Sequence, residues 1–194
     1  MLATTLAKDN WVGSFLGAVF VLVVGLVAGI AIAEWINAMP AESTPPVVAH
    51  RSPGAEPASW ELFAFILRRN MTVFLILLLG VLSAGLVTIV VLLGNGLAVG
   101  QLIGFARTSG MSHVDVAYLL LPHGVLELGA LCVAGAVGLR GIGLAFGVSA
   151  VDRRAFESLR LGTVLVFGLV ALATAAFVEA FVTVEIAESL SGRW

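Results

Sequence analysis

Four stretches of this chain, residues 11–33, 70–106, 122–126 and 162–178, contain no Asp, Glu, Lys or Arg. A helix crosses a hydrocarbon core of about 30 Å with about 20 apolar residues, and the two longest runs exceed that length. Lipid offers the peptide backbone no hydrogen bonds, so such runs are stable there only as helices or closed barrels, and these are far too long and unbroken for barrel strands. Composition agrees: of 194 residues 60% are hydrophobic and 11% charged, with a mean hydropathy of +1.09. The expected fold class is therefore an all-α polytopic membrane protein forming a single membrane domain, multi-pass in the cell membrane. A net charge of -2 with ten scattered basic residues gives no nucleic-acid footprint. Cys132 is the only cysteine, which excludes an internal disulfide and any multi-cysteine metal site.

Residues 11–36 form the first expected crossing, with Gly13-x-x-x-Gly17 and Gly25-x-x-x-Gly29 at a spacing that lets helices approach closely. Ala31-Ile32-Ala33 looks like a cleavage site, but the apolar run is too long for a signal sequence and reads as a retained helix. Residues 38–59 hold five prolines among Ala, Ser, Thr and Glu, and read as an extramembrane loop too short to build a core. Residues 60–70 mix aromatics with Arg68 and Arg69 and suggest an interfacial elbow helix, its arginines reaching phosphate or water. Residues 71–93 form the clearest crossing, ending at the turn signal Gly94-Asn95-Gly96. Residues 96–107, edged by Gly96, Gly100 and Gly104, then read as a half-length or re-entrant helix pressed against a neighbour. Residues 114–139 form a crossing broken at Pro122, and residues 160–184 form the last one. The expectation is thus about four full transmembrane helices, a short half helix and an elbow. If residues 96–107 re-enter, seven basic residues face three across the membrane; if they cross, the division is five and five and sets no orientation.

The least expected chemistry lies at Leu119-Leu120-Leu121-Pro122-His123-Gly124-Val125-Leu126-Glu127-Leu128. Pro122 removes a backbone donor and Gly124 permits close backbone approach, while His123 and Glu127, four apart, share a helix face. A charged group at the centre of a membrane helix costs about 2.5 to 3.5 kcal/mol on insertion scales, so these groups should turn inward to a partner. Glu179, alone in the last crossing, and Asn95, at the expected helix break, are the candidate partners. The expected buried polar hub is His123, Glu127, Glu179 and Asn95, with Asn70 a further candidate, and Pro122, Gly124, Gly96, Gly100 and Gly104 as break and packing positions.

Three chemistries fit such a hub. It can be a hydrogen-bonded network that locks interrupted helices together, since His and Glu each donate or accept according to protonation. It can line a path for ions or small solutes, as half-helix ends and intramembrane carboxylates do in transporters. It can hold a metal through His123 and Glu127, but these are only two ligands, and zinc usually takes three or four. Neither a His-Glu-x-x-His motif nor a nucleophile with an evident base is present, so no catalytic residue, metal or cofactor is assigned.

Phe65-Ile66 with Asn70, Asn95-Gly96 with Gly100, Leu121-Pro122-His123-Gly124-x-x-Glu127, Gly135-x-x-Gly138-Leu139 and Glu179-Ala180-Phe181-Val182-Thr183 together resemble the stage II sporulation protein M family. The resemblance runs in order over residues 60–184, and Pro-His-Gly-x-x-Glu is its most specific part. It implies an integral membrane scaffold, known from a complex that remodels peptidoglycan during engulfment in spore-forming bacteria, where partners cut the wall. Members also occur in organisms that form no spores, so sporulation does not carry over with it. The resemblance marks Asn95, Gly96, Pro122, His123, Gly124, Glu127 and Glu179 as the positions that matter. The expected function is non-enzymatic: a scaffold or complex component with the lipid bilayer, other membrane or cell-envelope proteins, and a second copy docked through glycine-rich faces as partners. The alternative is a small-solute or ion transporter or channel subunit that uses the intramembrane carboxylates.

Overall fold

The computed structural model describes residues 11–39, 58–145 and 160–190. In chain order these form α1 (Trp11–Asn37), α2 (Trp60–Leu79), a 3-10 turn (Gly80–Ser83), α3 (Leu86–Thr108), α4 (His113–Ala145), α5 (Leu161–Phe177), a π-helical turn (Val178–Thr183) and α6 (Val184–Leu190). Most of the proline-rich loop, residues 40–57, and residues 146–159 lie outside the described residues. Five helical stretches, Trp11–Asn37, Trp60–Ser83, Leu86–Thr108, His113–Gly143 and Leu161–Ala187, are long and apolar enough to cross a membrane.

Five sequence expectations change here. The turn expected at Gly94 to Gly96 lies instead at Gly80 to Gly85, where Ala84 (φ 52°) and Gly85 (φ 80°) both adopt the left-handed conformation. The Gly85 amide donates to the Gly80 carbonyl at 3.0 Å. The Ser83 hydroxyl bonds the same carbonyl at 2.9 Å and accepts the Val87 amide at 3.1 Å, so this short turn satisfies its own backbone. Residues 71–93 are therefore not one crossing, and residues 60–70 are the first half of α2 rather than a separate elbow. That helix starts where the Ser59 hydroxyl accepts the Leu62 amide, an N-cap made by a short polar side chain.

Residues 96–107 are likewise no half helix: they complete α3, a continuous helix of 23 residues. Gly94-Asn95-Gly96 stays helical because its glycines serve packing rather than backbone freedom, and the Asn95 amide group donates to the Val91 carbonyl one turn back at 2.8 Å. Nor is the helix broken at Pro122, which sits inside the 33-residue α4. Pro122 removes one rung of the hydrogen-bond ladder, and the turns on either side hold.

Close approaches fix how the helices run. Gly25 of α1 lies against the Leu93 backbone, and Gly29 against Gly100 and the Leu97 carbonyl, so α1 and α3 run parallel. Neither glycine, nor Gly96 and Gly100 opposite, leaves room for a Cβ: it would fall on backbone atoms of the partner helix. At the far end of this pair Glu34 and Arg107 form an ion pair of 2.9 Å. Gly135 of α4 meets Ala18 of α1 and the Arg140 guanidinium lies 4.8 Å from the Trp11 ring, so these two helices are antiparallel. Gly138 and Gly141 take the backbone of Leu77 and Val81, which sets α2 parallel to α4. Gly168 takes the Phe74 ring while Trp60, earlier in α2, meets Phe177 and Phe181, later in the chain, which sets α5 antiparallel to α2. Successive helices thus alternate in direction, as successive crossings must.

The centre of the bundle is apolar: Phe74, Leu77, Leu92, Leu131, Val137 and Leu172 are fully buried with Thr88 among them. The Thr88 hydroxyl donates to the Leu77 carbonyl at 3.3 Å, and Gly80 and Gly138 leave the space it occupies. The outward faces carry Val12, Phe20, Val27, Leu82, Val90, Val166 and Val170, all exposed. A soluble protein would hide such surface, whereas lipid accepts it.

Candidate functional site

Toward the Trp60 end of α2, the apolar interior gives way to a polar layer between α2, α4 and α5. His123 of α4 and Asn70 of α2 are the buried polar groups, at 9% and 7% exposure. His123 Nδ1 lies 3.2 Å from the Thr183 hydroxyl at the end of the π turn. One turn further along α4, Glu127 has the Asn70 side chain within hydrogen-bonding reach and the Arg69 guanidinium as its opposite charge. Glu179, at the start of the π turn, faces the same pair of charges: Glu127, which repels it, and Arg69, which attracts it. Because α4 and α5 are antiparallel, the step of four residues from His123 to Glu127 matches the step from Thr183 back to Glu179.

The π turn makes this register possible. An α-helix gives one face every 3.6 residues, and a wider turn shifts the following residues around the axis, which is why such bulges recur at functional positions. Val178–Thr183 is the stretch concerned, and it carries both side chains that α5 contributes. Its other side is held by Trp60, whose ring centroid lies 5.1 Å from that of Phe181, with Phe177 5.0 Å from Phe181. Ile66, Ala176 and Ala180 pack beneath these rings. An aromatic and small-residue clamp therefore presses α5 onto α2 beside the polar layer.

Of the four hub residues expected from sequence, His123, Glu127 and Glu179 lie in this layer. The hydrogen bond of Asn95 goes to its own helix; its neighbour Gly96 packs on Leu22 and Leu26 of α1, so this side of α3 faces α1 and not the layer. Asn70 takes the amide role instead. Gly96, Gly100 and Gly104 pack on α1, Gly124 touches only Leu120 of its own helix, and Pro122 is exposed. Arg69 and Thr183 were not singled out as hub residues. For Thr183 the signal is its spacing from Glu179; for Arg69, which is also exposed, it is the placement beside Asn70 of a cation that two half-buried carboxylates need.

Among the described residues no group of three or more His, Cys, Asp or Glu side chains is placed to hold a metal ion. Equally, no buried side-chain nitrogen or oxygen there lacks a hydrogen-bond partner. Within the layer His123 meets Thr183 and Glu127 meets Asn70, while Glu179 stands between the charges of Glu127 and Arg69.

The description of stage II sporulation protein M fits residues 18–184, most of this chain. The chain belongs to the stage II sporulation protein M family. The matched span covers α1 as well as the motif-bearing helices, and so extends beyond the 60–184 stretch that carries the sequence resemblance. An uncharacterized protein of Methanocaldococcus jannaschii is 28% identical over 136 residues, covering 66% of this chain and 74% of that protein. No solved structure matches. For this stage II sporulation protein M family member the polar layer falls within the matched residues, as do the glycine-lined contacts between helices.

Proposed function

We propose that this protein is a non-enzymatic, multi-pass component of the cell membrane that acts as a scaffold for other membrane or cell-envelope proteins. The observation that carries this reading is that the layer's polar groups engage one another across helices, His123 with Thr183 and Glu127 with Asn70, and that no fully buried side-chain nitrogen or oxygen among the described residues lacks a partner. His123, Glu127 and Glu179, joined by Asn70, Arg69 and Thr183, then act as a hub that holds α2, α4 and α5 in one arrangement. Polar groups paired across helices in this way favour a unique packing. The glycine edges need no second copy to cover them, since Gly25, Gly29, Gly96, Gly100 and Gly104 already meet this chain's own helices. A homodimer would therefore use other surface.

The alternative, a path for protons or small solutes, draws on one feature, the two carboxylates Glu127 and Glu179 facing each other. Purified protein in sealed liposomes separates the two readings. The scaffold reading expects no flux above that of empty liposomes, and loss of thermal stability and of partner recovery in His123→Ala and Glu127→Gln. Proton or solute flux that disappears in Glu127→Gln, with fold and expression intact, would replace it with the transport reading.

A further inference from the structure

Arg68 and Arg69 are adjacent in sequence and both exposed, but they stand beside different groups. Arg69 serves the two carboxylates of the polar layer. Arg68 lies on the outer surface of α2, where it lines an open groove of about 320 Å³ together with Glu61, Ala64 and Phe65. Among the described residues neither Glu61 nor Arg68 forms an ion pair like that of Arg107 with Glu34. The nearby Thr72 hydroxyl is turned away, donating to the Arg68 carbonyl at 2.8 Å.

A guanidinium among apolar side chains requires an anion or a route to water. Glu61 is in the first turn of α2, and Arg68 is seven residues further into the helix, or roughly 10 Å along its axis. Measured from the Ala84–Gly85 turn that joins α2 to the antiparallel α3, Arg68 falls roughly 9 Å short of the level of Arg107. Long basic side chains cover such depths by extending toward the interface, their stems along apolar surface. The groove therefore presents a cation on its inner side and an anion on its outer side. An aminophospholipid headgroup presents the opposite charges in the same order, phosphate nearer the acyl chains and ammonium farther out.

We propose that the Glu61–Arg68 groove binds the headgroup of an aminophospholipid, Arg68 holding the phosphate and Glu61 the primary ammonium, with Phe65 against the glycerol and upper acyl chain. Arginine suits the inner position because its planar fork donates two parallel hydrogen bonds to a phosphate. A second copy of this chain fits the groove less well: a two-fold axis along the membrane normal would set Arg68 against Arg68 and Glu61 against Glu61, like charge on like. The proposal rests on the membrane reading above and is independent of the scaffold role.

The test is native mass spectrometry of the full chain, reconstituted with equal phosphatidylethanolamine, phosphatidylglycerol and phosphatidylcholine and released from detergent at increasing collision energy. Wild-type protein should retain one phosphatidylethanolamine after the other lipids have left. Arg68→Gln should lose retention of that lipid about fivefold, the scale of one basic contact at a membrane surface, with Arg68→Lys falling in between. Glu61→Gln should keep a bound phospholipid but lose the preference for ethanolamine over glycerol. Because each effect is read on a different variant, a misfolded Arg68→Gln still leaves Glu61→Gln and Arg68→Lys to decide. Equal retention of all three lipids by wild type, meaning annular lipid only, would overturn the proposal. So would an unchanged ethanolamine preference in Glu61→Gln, or displacement of the lipid by millimolar free phosphoethanolamine. None of these results bears on the stability and flux measurements that test the scaffold.

Discussion

His123 of α4 and Thr183 of the π turn meet at 3.2 Å, sixty residues apart in sequence. A proline precedes the first and a π turn ends at the second, so both partners stand where the regular helix has been disturbed. The hydroxyl can donate to the ring nitrogen or accept from it, according to the imidazole tautomer.

Thr183→Val keeps the shape and removes the hydroxyl. It should destabilise the protein by about 1 kcal/mol, the usual net value of one hydrogen bond, with a somewhat larger loss if His123 is left without a partner. Thr183→Ser should recover most of that. Thermal unfolding in detergent, followed by helical circular dichroism, would register a fall of about 2 to 4 °C for a chain of this size; an unchanged midpoint would remove the bond from the hub.

Arg69 is the one positive charge that acts on both Glu127 and Glu179. Arg69→Gln should therefore destabilise the bundle, and adding Glu179→Gln should restore part of the loss by removing the carboxylate that repels Glu127. A double-mutant cycle on these two positions is expected to show a coupling of about 1 kcal/mol or more, as for residues in one charged network. Strictly additive effects would show that Arg69 acts elsewhere.

The α1–α3 contact offers a sharp contrast between glycines on one helix. Gly100 meets Leu26 and Gly29 backbone, whereas Gly94 has nothing within 4 Å of its missing side chain. Gly100→Leu should force α1 and α3 apart and lower the yield of folded protein. Gly94→Ala should be neutral or stabilising by up to about 1 kcal/mol, since alanine favours helix over glycine. Should both variants behave alike in size-exclusion profile and melting, the close approach at Gly100 would be wrong.

Ala84 and Gly85 give a backbone test that involves no polar group. Ala84 has φ 52°, a conformation that costs a residue with a Cβ roughly 1 to 2 kcal/mol. Ala84→Gly should relieve this, offset in part by the extra freedom of glycine in the unfolded chain, and raise the melting midpoint slightly. Gly85→Val should lower it strongly, because Gly85 combines φ 80° with close contact to Ile142. Equal behaviour of the two variants would place the helix break elsewhere.

How far the site was legible follows from what each signal reports. His123, Glu127 and Glu179 stood out because ionisable groups in apolar runs are rare, and that rarity is a property of the sequence. Asn95 stood out as a polar group at an expected helix break and met a different fate, because an amide can satisfy itself on the carbonyl one turn back and leave no trace of that choice in composition. Arg69 is exposed, as arginines at the edge of an apolar run are expected to be, and its place beside the two carboxylates leaves no local signal. Only the parallel packing of α2 beside α4 brings Asn70 and Arg69 level with Glu127.

The amino-acid sequence by itself determined the all-helical class, the need for an apolar surround, and the residues whose chemistry had to be turned inward, since all three follow from hydropathy and from the backbone's demand for hydrogen bonds. The tertiary structure alone decided where helices stop and what their glycines do. Gly80-Val81-Leu82-Ser83-Ala84-Gly85 and Gly94-Asn95-Gly96 are both glycine-bearing interruptions of one uncharged run of residues 70–106. The first becomes a turn and the second stays helical because Gly96 and Gly100 gain close contact with α1 as a helix edge, while Gly85 gains nothing by remaining helical. That difference lies in another helix some seventy residues away, beyond the reach of any local pattern.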